Sequence, residues 1–84
     1  MLKDLLKDLE NAEKESDRLD ALYEADPENE KIELAWDKAY TAQTKALRAV
    51  RDYIISLIGI SESTAIKMIM FHREELKSIS LKEA

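Results

Sequence analysis

The sequence predicts an all-α protein, and three observations carry that prediction. Apolar residues recur at three- and four-residue spacing along nearly the whole chain, the period of a helix with one face buried. Only one Gly and one Pro interrupt the pattern. Both stand where a helix boundary is expected. The expected architecture is an antiparallel three-helix arrangement with a long central helix, a helical hairpin plus a C-terminal helix, dimerising into a helical bundle. Residues 1–84 are read as a single helical domain.

Helix 1 is expected over about residues 1–25, where Leu2, Leu5, Leu9, Ala12, Ser16, Leu19 and Tyr23 follow a heptad spacing and Leu6 and Leu22 widen the stripe. Asp26 then Pro27 reads as a helix start: the carboxylate can accept from free backbone N–H groups, and Pro suits a first position that needs no donor. Glu28 and Glu30 would favour the positive end of that helix's dipole. Helix 2 is thus expected over about residues 27–58, about 48 Å long. Its seam reads Ile32, Trp36, Ala39, Gln43, Ala46, Val50, Tyr53 and Leu57. Gly59 supplies the left-handed conformation that ends helices at low cost. Ser61 then caps helix 3, over about residues 62–80, with a seam of Ala65, Ile69, His72, Leu76 and Ile79 and a fraying end at SLKEA. Short connections make successive helices antiparallel. Helix 3 is therefore expected to run back along helix 2, with Leu76 near Gln43.

The chain has 84 residues, no Cys and a formal charge of −5. Without Cys, neither disulfides nor thiolate metal sites can reinforce so small a core, so packing must stabilise it, within one chain or between copies. No apolar run approaches the about 20 residues that span a bilayer. The stretch MLKDLLKDLENAEKE does not read as a signal peptide, because charges interrupt each apolar pair. The expectation is a cytoplasmic protein with no membrane association. Charge is unevenly placed: residues 1–44 carry 6 Lys/Arg against 13 Asp/Glu, and residues 45–84 carry 7 against 5. The acidic half reads as a solvated face or as a surface for a basic partner.

The stretch SLIGISESTAIKMIM, residues 56–70, holds the strongest functional signal. Tyr53, Ile54, Ile55, Leu57 and Ile58 point nearly all round one helix, and Ile66, Met68, Ile69, Met70 and Phe71 do so on the next. Two helices cannot bury each other on every side. Ile55, Ile58, Ile66, Met70 and Phe71 are therefore the expected interface, covered by a second copy or by another protein. The expected function is a small protein–protein interaction module, of adaptor or inhibitor type, acting as a homodimer.

Residues 53–70 also resemble the core of bacterial helix-turn-helix regulators, with Gly59 as the turn glycine. That resemblance implies that Ser61, Glu62, Ser63, Ile66 and Lys67 face the major groove, and Lys45, Arg48, Arg51 and Lys67 form a local basic strip. The expected DNA contacts on this reading are Lys45, Arg48, Arg51, Ser61, Ser63 and Lys67. Set against it, Ser reads bases with little selectivity, Asp52 and Glu62 dilute the basic strip, and Ala65 stands where such motifs carry a bulky aliphatic. DNA binding is the alternative reading. No enzyme activity, cofactor or metal is expected: there is a single His, no Cys, no Glu-x-x-His pair and no glycine-rich phosphate loop. Trp36 reads as the closure of the helix 1–helix 2 turn beside Ile32, Tyr40 and Tyr23, and as a second candidate for an aromatic contact with a partner.

The run EADPENEKIELAWDKAY, a long Ala-rich helix and a closing REELKSI, spanning residues 24–79, resemble small acidic all-helical proteins of bacterial genomes and prophages. The resemblance implies a helical fold and a mobile-element origin, and brings no activity with it.

Overall fold

The computed structural model describes residues 1–83, and the described residues form four helices with no strand: α1 (Leu2–Ala25), α2 (Glu30–Ile58), α3 (Glu62–Phe71) and α4 (Arg73–Glu83). The protein is all-α. Helices α1 and α2 form a long hairpin, α3 lies on α2, and α4 lies on α1 and α3. The molecule measures 45 × 23 × 19 Å.

Helix α2 starts at Glu30, not at Pro27. Asp26 belongs to the end of α1, its N–H donating to the Leu22 carbonyl at 3.0 Å. The segment Asp26–Asn29 closes as a turn, with the Asn29 N–H donating to the Asp26 carbonyl at 3.2 Å. Pro27 thus takes the second position of a β-turn, which its fixed φ suits as well as it suits a first helical turn. The cap passes to Asn29, whose Oδ1 accepts from the Lys31 and Ile32 N–H groups at 3.0 and 3.3 Å. At the other end, Gly59 takes the left-handed conformation, φ 66° and ψ 41°, and its N–H donates to the Ile55 carbonyl. Ser61 then caps α3 by accepting from the Thr64 N–H at 3.2 Å.

The main departure from the expected architecture comes after Phe71. A single third helix is expected to run back along α2; instead the chain breaks at His72 (φ −130°, ψ 41°) and α4 turns onto α1. Among the described residues no Cα of α4 comes within 8 Å of one of α2, so Leu76 is not near Gln43. Arg73 holds the break from both sides. Its Nε donates to the Ile69 carbonyl at 3.0 Å, occupying one of the free acceptors at the end of α3, and its guanidinium grips Glu13 of α1 at 2.7 and 3.2 Å. The bond to Glu13 raises the Arg73 pKa above its ordinary value, against a smaller opposing effect of burial. One turn further on, Lys77 reaches Glu10 of α1 at 3.1 Å. His72 is exposed at this kink and lies 3.8 Å from Glu75, so it is not a seam residue. Helix α4 continues to Glu83 with Ser80 buried, so residues 80–83 of the stretch SLKEA, expected to fray, are helical; Ala84 lies outside the described residues.

The core follows from this turn. Leu2, Leu6 and Leu9 of α1, Val50 and Ile54 of α2, Ile69 of α3 and Leu76 of α4 form one buried cluster. It sits at the end of the hairpin where all four helices meet. Ile54, off the expected seam, is buried because α3 covers that flank of α2; Leu57, on the expected seam, is 45% exposed. Beyond Glu13 the hairpin has only itself to pack on, with Ser16, Leu19 and Ala39 buried between its two helices. Ser16 and Ala39 are small, which lets the two backbones approach closely.

Candidate interaction surface at the Gly59 corner

The chain changes direction by 116° between α2 and α3. Gly59 allows that turn, and Ile60, packed against the core cluster, fixes it. Ala65 and Ile69 of α3, both fully buried, face inward. Because a helix can turn only one face inward, the remaining apolar residues of the corner must point elsewhere.

The structure places the five expected interface residues as follows. Ile55 and Ile66 are half-buried; Ile58, Met70 and Phe71 are exposed by 42%, 59% and 75%. Arg51 and Glu62 stand 4.0 Å apart across the corner. Ile55 lies one helical turn beyond Arg51, and Ile66 one turn beyond Glu62, so this pair puts Ile55 and Ile66 on the same flank. Ile58 and Met70 follow them at three- and four-residue spacing. Ile55 with Ile58 on α2, and Ile66 with Met70 on α3, thus share a helix face. Phe71 does not share it, since one residue along a helix is a rotation of about 100°; it projects at the end of α3 beside the kink. Leu57, exposed on the opposite flank of α2, is an apolar residue that the heptad spacing misassigns to the seam.

The residues of the alternative DNA-binding reading are differently employed. Ser61 Oγ is committed to the Thr64 N–H and to Thr64 Oγ1. Arg51 is turned to Asp52, at 2.9 Å, and toward Glu62. Lys45, Arg48, Ser63 and Lys67 are exposed.

At the opposite end of the molecule the aromatics form a ladder. Tyr23 stacks on Trp36 with centroids 5.9 Å apart, Trp36 stacks on Tyr40 at 5.6 Å, and the indole N–H donates to Asp20. Tyr40 is 57% exposed, and Leu34 and Leu22 nearby are 63% and 40% exposed. Trp36 is half-buried between the two tyrosines.

Among the described residues no three His, Cys, Asp or Glu side chains gather into a group able to hold a metal ion, and no single helix is long and apolar enough to cross a membrane. No protein-family model, no curated protein and no solved structure matches the chain.

Proposed function

We propose that this chain is a protein–protein interaction module of adaptor or inhibitor type that works as a homodimer through the Gly59 corner. One observation carries the reading: Ile58 and Met70 stand open to water at the corner of a single chain, beside the partly exposed Ile55 and Ile66. A buried Ile, Met or Phe contributes about 1.5–3 kcal/mol, so an uncovered corner forgoes several kcal/mol. In an 84-residue domain that is a large share of the total. Covering the patch with a second copy is the commonest solution among soluble proteins. The module is read as non-catalytic, cytoplasmic and of prophage or mobile-element origin, with a further, unidentified protein as its target.

A second reading has its own support. Helix-turn-helix pairs cross at about 90–120° around a short turn that often contains Gly, and the α2–α3 corner turns by 116° with Gly59 in the turn. This alternative is a DNA-binding regulator using residues 53–70. The Ser61 cap and the Arg51–Asp52 pair argue against it, because they occupy groups that would otherwise reach DNA.

Light scattering behind a sizing column, together with titration of a labelled DNA duplex, tests the two readings. The interaction module has the mass of two chains and leaves DNA unbound at low salt. A monomer whose binding to the duplex falls steeply as salt rises would favour the regulator.

A further inference from the structure

The two ends of this molecule are unlike in shape and in charge. Helices α3 and α4 thicken one half only. Arg73 meets α1 at Glu13, Lys77 meets it at Glu10, and the end of α4 lies by Lys3, Leu6 and Lys7. Helix α4 therefore runs away from the aromatic end. Trp36, Tyr40, Leu47 and Ile54 fall on one stripe of α2 at spacings of four and seven. Its lower members, Leu47 and Ile54, belong to the four-helix core. Its upper members, Trp36 and Tyr40, lie in the two-helix half, where Tyr23 stacks on Trp36, Asp20 accepts from the indole N–H, and Tyr40 is 57% exposed. The half-covered face of the hairpin is thus a step, with an aromatic floor beside the end of α3.

Charge follows the step. Residues 16–40, the thin half, carry eight carboxylates against three Lys/Arg; residues 45–71, the corner and α3, carry four Lys/Arg against two carboxylates.

We propose that these two ends are each other's partners: in the homodimer, the aromatic, acidic end of one copy docks on the apolar, basic corner of the other. The inference rests on the self-association reading above and specifies its geometry. The two chains lie antiparallel, and each thick half sits on the other's thin half. Trp36 and Tyr40 meet Ile58, Ile66 and Met70, while Asp17 and Asp37 approach Arg48 and Lys67. A two-fold axis makes this contact twice and closes the assembly. A corner-to-corner dimer would instead bring the cations Arg48 and Lys67 of both copies together, which like-charge repulsion opposes. It would also leave the aromatic ladder uncovered.

Charge reversal with complementation tests this arrangement. Asp17, Asp37, Arg48 and Lys67 are all exposed and make no ion pair among the described residues, so reversing them spares the core. The expected result is that Asp17→Lys with Asp37→Lys weakens dimerisation tenfold or more, and that Arg48→Glu with Lys67→Glu does the same, a change of about 1.4 kcal/mol or more. An equimolar mixture of the two variants regains the dimer mass, because every contact in the mixed pair again joins opposite charges. Parent protein that stays monomeric at all concentrations would end the self-association reading itself. Parent dimer with an unimpaired Asp17→Lys/Asp37→Lys variant would overturn the end-to-corner geometry alone. If a reversed variant loses its helicity, the only tryptophan decides: diluting the parent dimer should shift Trp36 emission to longer wavelength as the ladder is uncovered. Unchanged emission across dissociation would refute the docking.

Discussion

Ile54→Asp is expected to abolish the fold. Ile54 is 1% exposed and sits among Leu2, Leu6, Leu9, Val50, Ile69 and Leu76, where α1, α2 and α3 converge. Removing the aliphatic side chain costs about 2–5 kcal/mol. Burying a carboxylate with no partner adds several more, since the cluster around it is entirely apolar. The sum is comparable with the about 5–15 kcal/mol that holds a typical domain together. Far-UV circular dichroism at 25 °C should therefore show most of the helical signal lost. Ile54→Val, which removes one methylene, should cost only about 0.5–1.5 kcal/mol and keep the helicity. A fully helical Ile54→Asp protein would mean that α3 does not cover this flank of α2.

Leu76→Ala is expected to cost about 2–5 kcal/mol, read from the midpoint of urea unfolding. Leu76 is fully buried and, among the described residues, is the one fully buried α4 side chain in the core cluster. Its loss leaves a cavity in the cluster around Leu2 and Leu6, with the partly buried Ile79 and the Arg73 and Lys77 ion pairs left to hold α4. Those pairs are at least partly exposed and contribute little. Leu81→Ala, five residues on and 74% exposed, should change stability by less than about 0.5 kcal/mol. Equal effects at the two positions would contradict the packing of α4 on α1.

The all-α character was legible because helical periodicity runs through the chain and only two residues break it. The misreadings have local causes. Asp26–Pro27 satisfies two sets of rules, those of a helix start and those of a turn, and the capacity of Asn29 to cap two N–H groups decides between them. The break at His72 carries no Gly or Pro. It depends on Arg73 reaching back to Ile69 and across to Glu13, sixty residues away, and no local spacing reveals a partner at that distance. The signal within reach was the pair Glu74–Glu75, an acidic first turn of the kind that opens a helix. Once α4 leaves α2, the seam of α2 widens toward α3, which buries Ile54 and releases Leu57.

The corner was easier to read, because apolar residues on every side of two short stretches cannot all be buried by one another. Which of them share a flank was not legible. That depends on the direction of the turn at Gly59, which sets Ile58 and Met70 together and sends Phe71 elsewhere. The aromatic ladder was visible as Tyr23, Trp36 and Tyr40, yet its open side appears only when α3 and α4 are seen to stop short of it.

In the proposed homodimer a second copy covers the corner. The direct measurement is solution mass by light scattering, made on the parent protein and on Ile58→Lys. Ile58 is 42% exposed in the single chain, so the lysine's charge can stay in water there and the fold should persist. In the dimer the same lysine must be buried against apolar side chains. The account predicts two chains for the parent and one helical chain for Ile58→Lys at the same concentration. A parent protein with the mass of one chain, or an Ile58→Lys variant that dimerises as tightly as the parent, would contradict it.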